Sequence, residues 1–301
     1  MNPVVSVIIL TYNQQATIAR TIESVLAQRE APDFEIVIGE DCSTDSTREI
    51  CERYAERFPG KIRLLPQEPN KGLTRNYRDC FLESRGKYIT DCPGDDIWTD
   101  PLFLKKATDI LESLVDVSIV YSGIDGHPSM ETERKNGREM LDSLLDATTI
   151  PPIVLSASLY RSAIVMHETE KKDIFGYYVE DYPIMASLLN AGDAYALKGE
   201  SLQYDRSIGS LSRPSDIRTA VANAIHALEM RLALAESYSI PQDKLNNFIK
   251  ETTGYIAANL LRHPDRCLME SYDQIIDRHN LRLTKKARLC RAIIHLINRR
   301  P

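Results

Sequence analysis

The chain has 301 residues, of which 43% are hydrophobic and 27% charged, and a formal net charge of -6. That balance fits a folded globular protein and argues against disorder, a membrane-spanning class and general nucleic-acid binding. The length suggests one long domain or a domain plus an appendage, and the opening MNPVVSVIILTYN, which lacks a basic n-region and a cleavage site, is expected to start a domain rather than a signal peptide.

Val4 to Leu10 is a continuous β-branched run, suited to a strand buried on both faces of a parallel sheet. Ile18, Ile22, Val25 and Leu26 then recur at helical spacing, and Phe34 to Ile38 follows after a proline-containing connection, which spells a βαβ unit. The alternation repeats. Ile50, Tyr54 and Phe58 mark a helix, Ile62 to Leu65 a strand, Tyr77, Cys80 and Phe81 a helix, and Tyr88 to Thr90 a strand. Leu104, Ala107, Leu111 and Leu114 give a further helix that Pro101 opens, and Val117 to Tyr121 a further strand. Residues 125–148 read as a mobile excursion, and Ile153 to Tyr160 and Tyr195 to Leu197 as strands that return to the sheet.

Near Pro214 strand signals vanish and helical spacing takes over, through Val221, Ile225, Leu228 and Leu232 and then Leu245, Phe248, Ile249, Thr252 and Ile256. The expected architecture is α/β, an open, mostly parallel sheet with helices on both faces over residues 1–214, followed by a helical C-terminal region over 215–301. The six cysteines, Cys42, Cys51, Cys80, Cys92, Cys267 and Cys290, lack zinc-site spacing and are too few for a disulfide scaffold, so a reducing, cytoplasmic location is expected.

In a doubly wound sheet ligands bind beyond the carboxyl ends of the strands, so the residues that follow each strand carry the functional signal. Here they are Thr11-Tyr12-Asn13, then Glu40-Asp41-Cys42-Ser43-Thr44-Asp45, then a segment with Asp91, Asp95 and Asp96. Asp41-Cys42-Ser43-Thr44 taken alone fits a helix N-cap, and a lone Asp-Asp pair fits a turn. Acidic clusters after successive strands, at Glu40 to Asp45 and at Asp91 to Asp96, fit capping poorly. Carboxylates gathered at one edge repel unless a cation or ligand donors intervene. Hard oxygen ligands suit Mg²⁺ or Mn²⁺, which bind one or two carboxylates plus substrate phosphates, so a diphosphate-containing substrate is expected.

The segments VSVIILTYN, IVIGEDCSTDST, NKGLTRN and GKYITDCPGDDIWTDPLFLKK resemble the motifs of the inverting glycosyltransferase family 2, of GT-A fold, over roughly residues 3 to 212. The resemblance implies that Thr11, Tyr12 and Asn13 line a nucleotide pocket and that Asp41 accepts the imide N–H of the base, which favours UDP-linked donors. It implies Asp96 as the metal ligand, with Asp95 beside it on the ribose or a metal-bound water. Asn70, Gly72, Arg75 and Asn76 would form the loop under the nucleotide, Arg75 approaching base or diphosphate; an arginine there equally suits a solvated surface. Val179-Glu180-Asp181-Tyr182 resembles the family's acidic motif, which would make Asp181 the base that deprotonates the acceptor hydroxyl. Glu180-Asp181 also suits the start of a helix over Tyr182 to Leu189.

Two departures from the family pattern stand out. Tyr204-Asp205-Arg206-Ser207-Ile208-Gly209-Ser210-Leu211-Ser212 replaces the usual Tyr-Arg-x-His-x-x-Ser, and Pro93 replaces a common acidic residue before Gly-Asp-Asp. They keep open a catalytically inactive nucleotide-sugar-binding protein; a nucleotidyltransferase is weaker, since no glycine-rich activating loop is present.

From Arg278 onward no acidic side chain occurs, and Leu289, Ile293, Leu296 and Ile297 share a helical face flanked by Lys285, Lys286, Arg288 and Arg291. Such a basic amphipathic segment, 279–301, suits peripheral contact with the cytoplasmic face of an inner membrane, or packing on its own domain with a solvated basic face. The resemblance adds the expected partners: a nucleotide-sugar donor and a saccharide or polyprenyl-diphosphate-linked acceptor, as in bacterial surface-polysaccharide synthesis.

Overall fold

The structure, a computed structural model, describes residues 2–66, 69–147, 153–205 and 214–298, the last four of these by backbone alone. It divides into two compact units, Met1–Leu141 with Pro152–Asp205, and Asp142–Pro151 with Arg206–Pro301.

The first unit alternates strands and helices: β1 (Val5–Thr11), α1 (Ile18–Leu26), β2 (Phe34–Glu40), α2 (Thr47–Arg57), β3 (Ile62–Leu64), α3 (Leu73–Glu83), β4 (Tyr88–Asp91), β5 (Ile97–Trp98), α4 (Phe103–Ser113) and β6 (Val117–Ile124). It continues through β7 (Glu133–Lys135), α5 (Gly137–Asp146), whose residues from Asp142 onward belong to the second unit, β8 (Ser158–Arg161), α6 (Ser162–Lys171), α7 (Asp181–Ala191) and β9 (Asp193–Gln203). The strands form one sheet in the order β3-β2-β1-β4-β8-β6-β9-β5, with β7 paired to β9. The pairs β2/β3, β1/β2, β1/β4 and β6/β9 are parallel, and β8 runs antiparallel between β4 and β6.

The β-branched character of β1 is explained by its place at the centre of the parallel half. Val5, Val7 and Ile9 join a cluster with Ile18, Ile22 and Val25 of α1 and Phe103, Leu104 and Ala107 of α4. The alternate residues Ser6 and Ile8 are equally buried. A serine there is tolerated because its hydroxyl donates to Glu35 Oε1 at 2.7 Å and accepts from the Gly86 N–H at 2.9 Å.

Three stretches differ from their sequence reading. Residues 125–148, expected as a mobile excursion, contain β7 and α5, because Glu133–Lys135 adds an antiparallel edge to β9. Its polar residues suit an edge strand. Ile153 to Tyr160, expected as one strand, enters through a 3-10 turn at Leu155–Ala157 before β8, since Ser156 turns its carbonyl to accept from Trp98 Nε1 at 3.1 Å. The helix expected to open at Pro101 begins at Phe103, where Asp100 Oδ1 accepts the Leu102 N–H at 2.9 Å.

The second unit is helical: α8 (Ile217–Ser237), α9 (Asn246–Arg262), α10 (Arg266–Arg278) and α11 (Lys285–Asn298). Asp216 and Asp265 cap α8 and α10, accepting from the Thr219 and Leu268 N–H groups at 2.8 and 3.0 Å. Val221, Ile225 and Leu228 of α8, Phe248, Ile256 and Leu260 of α9, and Met269, Tyr272 and Ile276 of α10 are buried. Among the described residues no helix is long and apolar enough to cross a membrane.

Candidate active site

The ends of β1, β2 and β4 meet. Asp41 follows β2 and donates its N–H to the Thr11 carbonyl at 3.0 Å, which locks the two strand ends together. Asn13, in the left-handed region at φ 54°, accepts from the Thr44 N–H at 2.8 Å through Oδ1 and donates its own N–H to Ser43 Oγ at 2.9 Å. Tyr12, between them, is 47% exposed, an aromatic face left open where a ligand base could stack. Thr11 is buried, and its Oγ1 has no hydrogen-bond partner among the described residues.

Asp41 is engaged on both oxygens. Oδ1 accepts from the Lys71 N–H and Oδ2 from the Gly72 N–H, each at 2.9 Å, while Asn70 Nδ2 donates to the Asp41 carbonyl at 2.9 Å. Gly72 takes φ 80°, a conformation costly for a side chain, and so delivers its N–H to the carboxylate just before α3. The carboxylate assigned to base recognition thus also staples the loop beneath the site; each oxygen keeps a second lone pair for a ligand donor. Asn76 serves the fold, donating from Nδ2 to the Gly39 carbonyl at 2.7 Å. Arg75, in the first turn of α3, is exposed and makes no hydrogen bond or ion pair among the described residues. Asp41→Ala releases this staple, and hydrogen bonds to a charged group contribute ~1.5–3 kcal/mol each. Amide exchange at Lys71 and Gly72 is expected to speed by more than ~tenfold; unchanged protection would remove the stapling role.

The Gly94–Asp96 turn is suspended from α1. Thr17 Oγ1 donates to the Gly94 carbonyl and Thr21 Oγ1 to the Asp96 carbonyl, both at 2.8 Å. A Cβ on Gly94 would lie 2.4 Å from Gln14 Oε1 and 2.9 Å from Thr11 Oγ1, so only glycine lets the turn approach β1 this closely. The turn places Asp96 at 2% exposure. Its Oδ1 accepts from the Asp205 N–H at 2.8 Å, while Oδ2 is enclosed and without a hydrogen-bond partner among the described residues. Burial above all, then the charges of Asp95 and Asp205 against the pull of that N–H, pushes the Asp96 carboxyl up to about 7. Burial also raises the Asp95 carboxyl, with Asp205 adding to it.

An enclosed carboxylate oxygen with no hydrogen-bond partner among the described residues, beside the charges of Asp95 and Asp205, fits a hard divalent cation. Mg²⁺ and Mn²⁺ bind through one or two carboxylates and complete their shell with water and phosphate oxygens. Among the described residues no group of three or more His, Cys, Asp or Glu side chains is placed to hold a metal ion by itself.

A second acidic group lies against the same floor. Asp91, at the end of β4, is 7% exposed, and its Oδ1 has no partner among the described residues. Burial, then the charges of Glu180, Asp96 and Asp181 in that order, lift its carboxyl well above the usual range. Asp181 opens α7 and accepts the Tyr182 N–H on Oδ1 at 2.7 Å. Glu180 is half-buried as a residue, yet its Oε2 is enclosed and without a hydrogen-bond partner among the described residues, and burial followed by the charge of Asp181 pushes its carboxyl up to about 8. Tyr77 and Tyr160, joined by a 2.8 Å hydroxyl hydrogen bond, are buried within the field of Asp91 and Glu180.

The motifs read from the sequence therefore gather around β4: Thr11 to Asn13 and Asp41 on one side, Asp95 and Asp96 at its end, Glu180 and Asp181 acting on the buried Asp91. Arg75 is not drawn in by a hydrogen bond or ion pair among the described residues. Arg206 to Ser212, where the chain departs from the family pattern, lie outside the described residues. Asp91 was legible only as one aspartate of a cluster. Asp205 was read only as a departure, and its backbone contact to Asp96 has no sequence signal. Thr17, which precedes α1, and Thr21, four positions on within it, carry only the pattern of small polar residues at helical spacing.

Residues 6–167 match the model of glycosyl transferase family 2, and the chain belongs to that family. The putative glycosyltransferase EpsE of Bacillus subtilis is 34% identical over 122 residues, 40% of this chain and 43% of that protein. The chain thus spans less than half the length of the curated relatives it first matches. Among solved structures, Staphylococcus aureus TarS 1–349 in complex with UDP-GlcNAc superposes with a TM-score of 0.55 at 16% identity, covering 93% of this chain and 92% of that one. A mannosyltransferase from Pyrobaculum calidifontis in complex with GDP-Man and Mn²⁺ gives 0.58 at 16% identity, covering 98% and 85%. The fold is GT-A, followed by the helical C-terminal region, and the family supports glycosyl transfer.

Proposed function

We propose that the protein is an inverting, metal-dependent glycosyltransferase that moves a hexose-type sugar from a UDP-linked donor to a hydroxyl of a saccharide or polyprenyl-diphosphate-linked acceptor. The setting is bacterial surface-polysaccharide synthesis at the cytoplasmic side of the membrane, with the catalytic part in residues 1–214. The observation that carries this reading is the enclosed Oδ2 of Asp96, without a hydrogen-bond partner among the described residues, in a setting that raises its proton affinity, at the strand end that adjoins the Asp41 loop.

Asp96 would hold Mg²⁺ or Mn²⁺, with Asp95 beside it. The cation supplies charge to offset that developing on the departing nucleoside diphosphate. Thr11, Tyr12 and Asn13 bound the nucleoside pocket, and Asp41 accepts from the base while holding the Lys71-Gly72 amides. Asp181 takes the proton of the acceptor hydroxyl as its oxygen bonds to the anomeric carbon and the bond to the diphosphate oxygen breaks on the opposite face. Glu180 lies beside that base, and burial together with the charge of Asp181 holds its carboxyl above the usual range, up to about 8.

Calorimetric titration of UDP into metal-free protein, with and without Mn²⁺ and with GDP and CDP as controls, tests the donor site. UDP-selective binding that requires Mn²⁺ is the expected result. Absence of binding by every nucleoside diphosphate overturns the reading. A binding-only protein, the alternative that the altered Tyr204 to Ser212 segment keeps open, would take up UDP and its sugars in the same way but release no UDP with any acceptor.

A further inference from the structure

We propose that the outward face of α11 is a docking surface for an anionic lipid bilayer. The sequence marks this helix as basic and amphipathic, but the face it buries is not the one expected. Ala287, Cys290 and Ile294 turn inward, exposed by 1%, 7% and 2%, and the helix packs on α9. Leu289, expected on the apolar face with Ile293, Leu296 and Ile297, is instead 61% exposed, and Ile293 is half-buried. The side chains of Leu296 and Ile297 lie outside the described residues. The helix therefore satisfies its own unit with one narrow stripe and leaves a leucine in water on another.

The cations divide in the same way. Arg291 is neutralised inside the unit by Asp273 at 2.6 Å and Asp277 at 3.0 Å, and Arg278 is paired to Glu229 at 2.9 Å. Arg282, Lys285, Lys286 and Arg288 are exposed and make no ion pair among the described residues. No acidic side chain follows Asp277 in the sequence. Four uncompensated cations within seven residues, three of them in the first turn of α11 and Arg282 just before it, repel one another, a cost that an external anionic surface relieves.

The exposed leucine decides which anionic surface. A phosphate backbone gives Leu289 nothing to bury against, whereas a bilayer accepts the cations at its headgroups and the leucine at the acyl boundary beneath them. A net charge of -6 further disfavours a polyanion that would run past the contact onto the rest of the chain, while a planar lipid surface meets one face only. The surface goes beyond the transferase reading and does not depend on it, although a polyprenyl-linked acceptor would be met at the same place.

Co-sedimentation of the full chain with phosphatidylcholine vesicles, with and without phosphatidylglycerol, tests the proposal in the absence of donor and acceptor, so its outcome is separate from that of the nucleotide titration. Binding to the phosphatidylglycerol vesicles alone, falling as salt rises, is expected. With roughly fivefold in partition per basic residue, replacing Lys285, Lys286 and Arg288 together by Gln lowers partition ~100-fold. Leu289→Gln lowers it at constant charge, and both variants keep the thermal unfolding midpoint because every substituted side chain is exposed. Equal binding to neutral vesicles, no binding to anionic ones at low salt, or undiminished binding by the triple variant overturns the proposal. So does retention of a DNA or RNA duplex without vesicle binding.

Discussion

Asp181→Asn is expected to lower kcat by ~10²–10⁴-fold, the usual worth of a positioned general base, and to leave Mn²⁺-dependent UDP affinity unchanged. The amide keeps the shape of the carboxylate at the start of α7 and its acceptor for the Tyr182 N–H at 2.7 Å, so the fold loses little. What it removes is the proton acceptor. Glu180→Gln should behave differently, because Glu180 already holds its proton below about pH 8 and glutamine imitates that neutral form. At pH 7 the glutamine variant keeps most of its activity. Above pH 8 the two proteins part: ionisation of Glu180 in the native protein adds a negative charge beside Asp181 and strengthens it as a base, and this rise in kcat is absent from the variant. Rate profiles from pH 6 to about 9 make the comparison. A Glu180→Gln loss at pH 7 as large as that of Asp181→Asn would transfer the role of base to Glu180.

The parallel half of the sheet is legible in the sequence because strands buried on both faces must be apolar at every position. VSVIILT and FEIVIGE announce themselves, and the helices between them keep one apolar stripe. The later half is less legible for physical reasons. Glu133–Lys135 gains its strand from pairing with β9, not from its own apolar pattern, and Ile97–Trp98 is too short for any period to develop. The faces of α11 were misread because burial of Ala287 and Cys290, small residues that let the helix approach α9, leaves the larger Leu289 outside. At the site, residue identity was readable but connectivity was not. Nothing in the sequence tells that Asp41 spends both oxygens on the Lys71 and Gly72 amides, or that the backbone of Asp205 reaches Asp96 across more than a hundred residues. Such contacts are made by backbone groups, which every residue carries alike.

The same carboxylates that serve the site should destabilise the fold, and substituting them should stabilise it. Burial pushes the Asp96 carboxyl up to about 7 in the folded chain against an ordinary value of 3.8, and burial and acidic neighbours lift Asp91 well above the usual range. A carboxyl with a raised folded pKa binds more protons folded than unfolded, so stability grows as pH falls through 7 and the full penalty is present above it. For Asp96 the difference corresponds to ~4 kcal/mol at pH 8 at most. Asp96→Asn and Asp91→Asn are therefore expected to raise the unfolding midpoint at pH 8 by several degrees, and the gap to the native chain should close towards pH 4. Mn²⁺ with UDP should lift the midpoint of the native chain and of Asp91→Asn, since ligands that bind only the folded form stabilise it, and should leave Asp96→Asn where it was. A fall in the Asp96→Asn midpoint at pH 8 would mean that the enclosed Oδ2 is satisfied in the folded protein without a cation. A midpoint for that variant that still rises with Mn²⁺ and UDP would move the metal to Asp95 or Asp205.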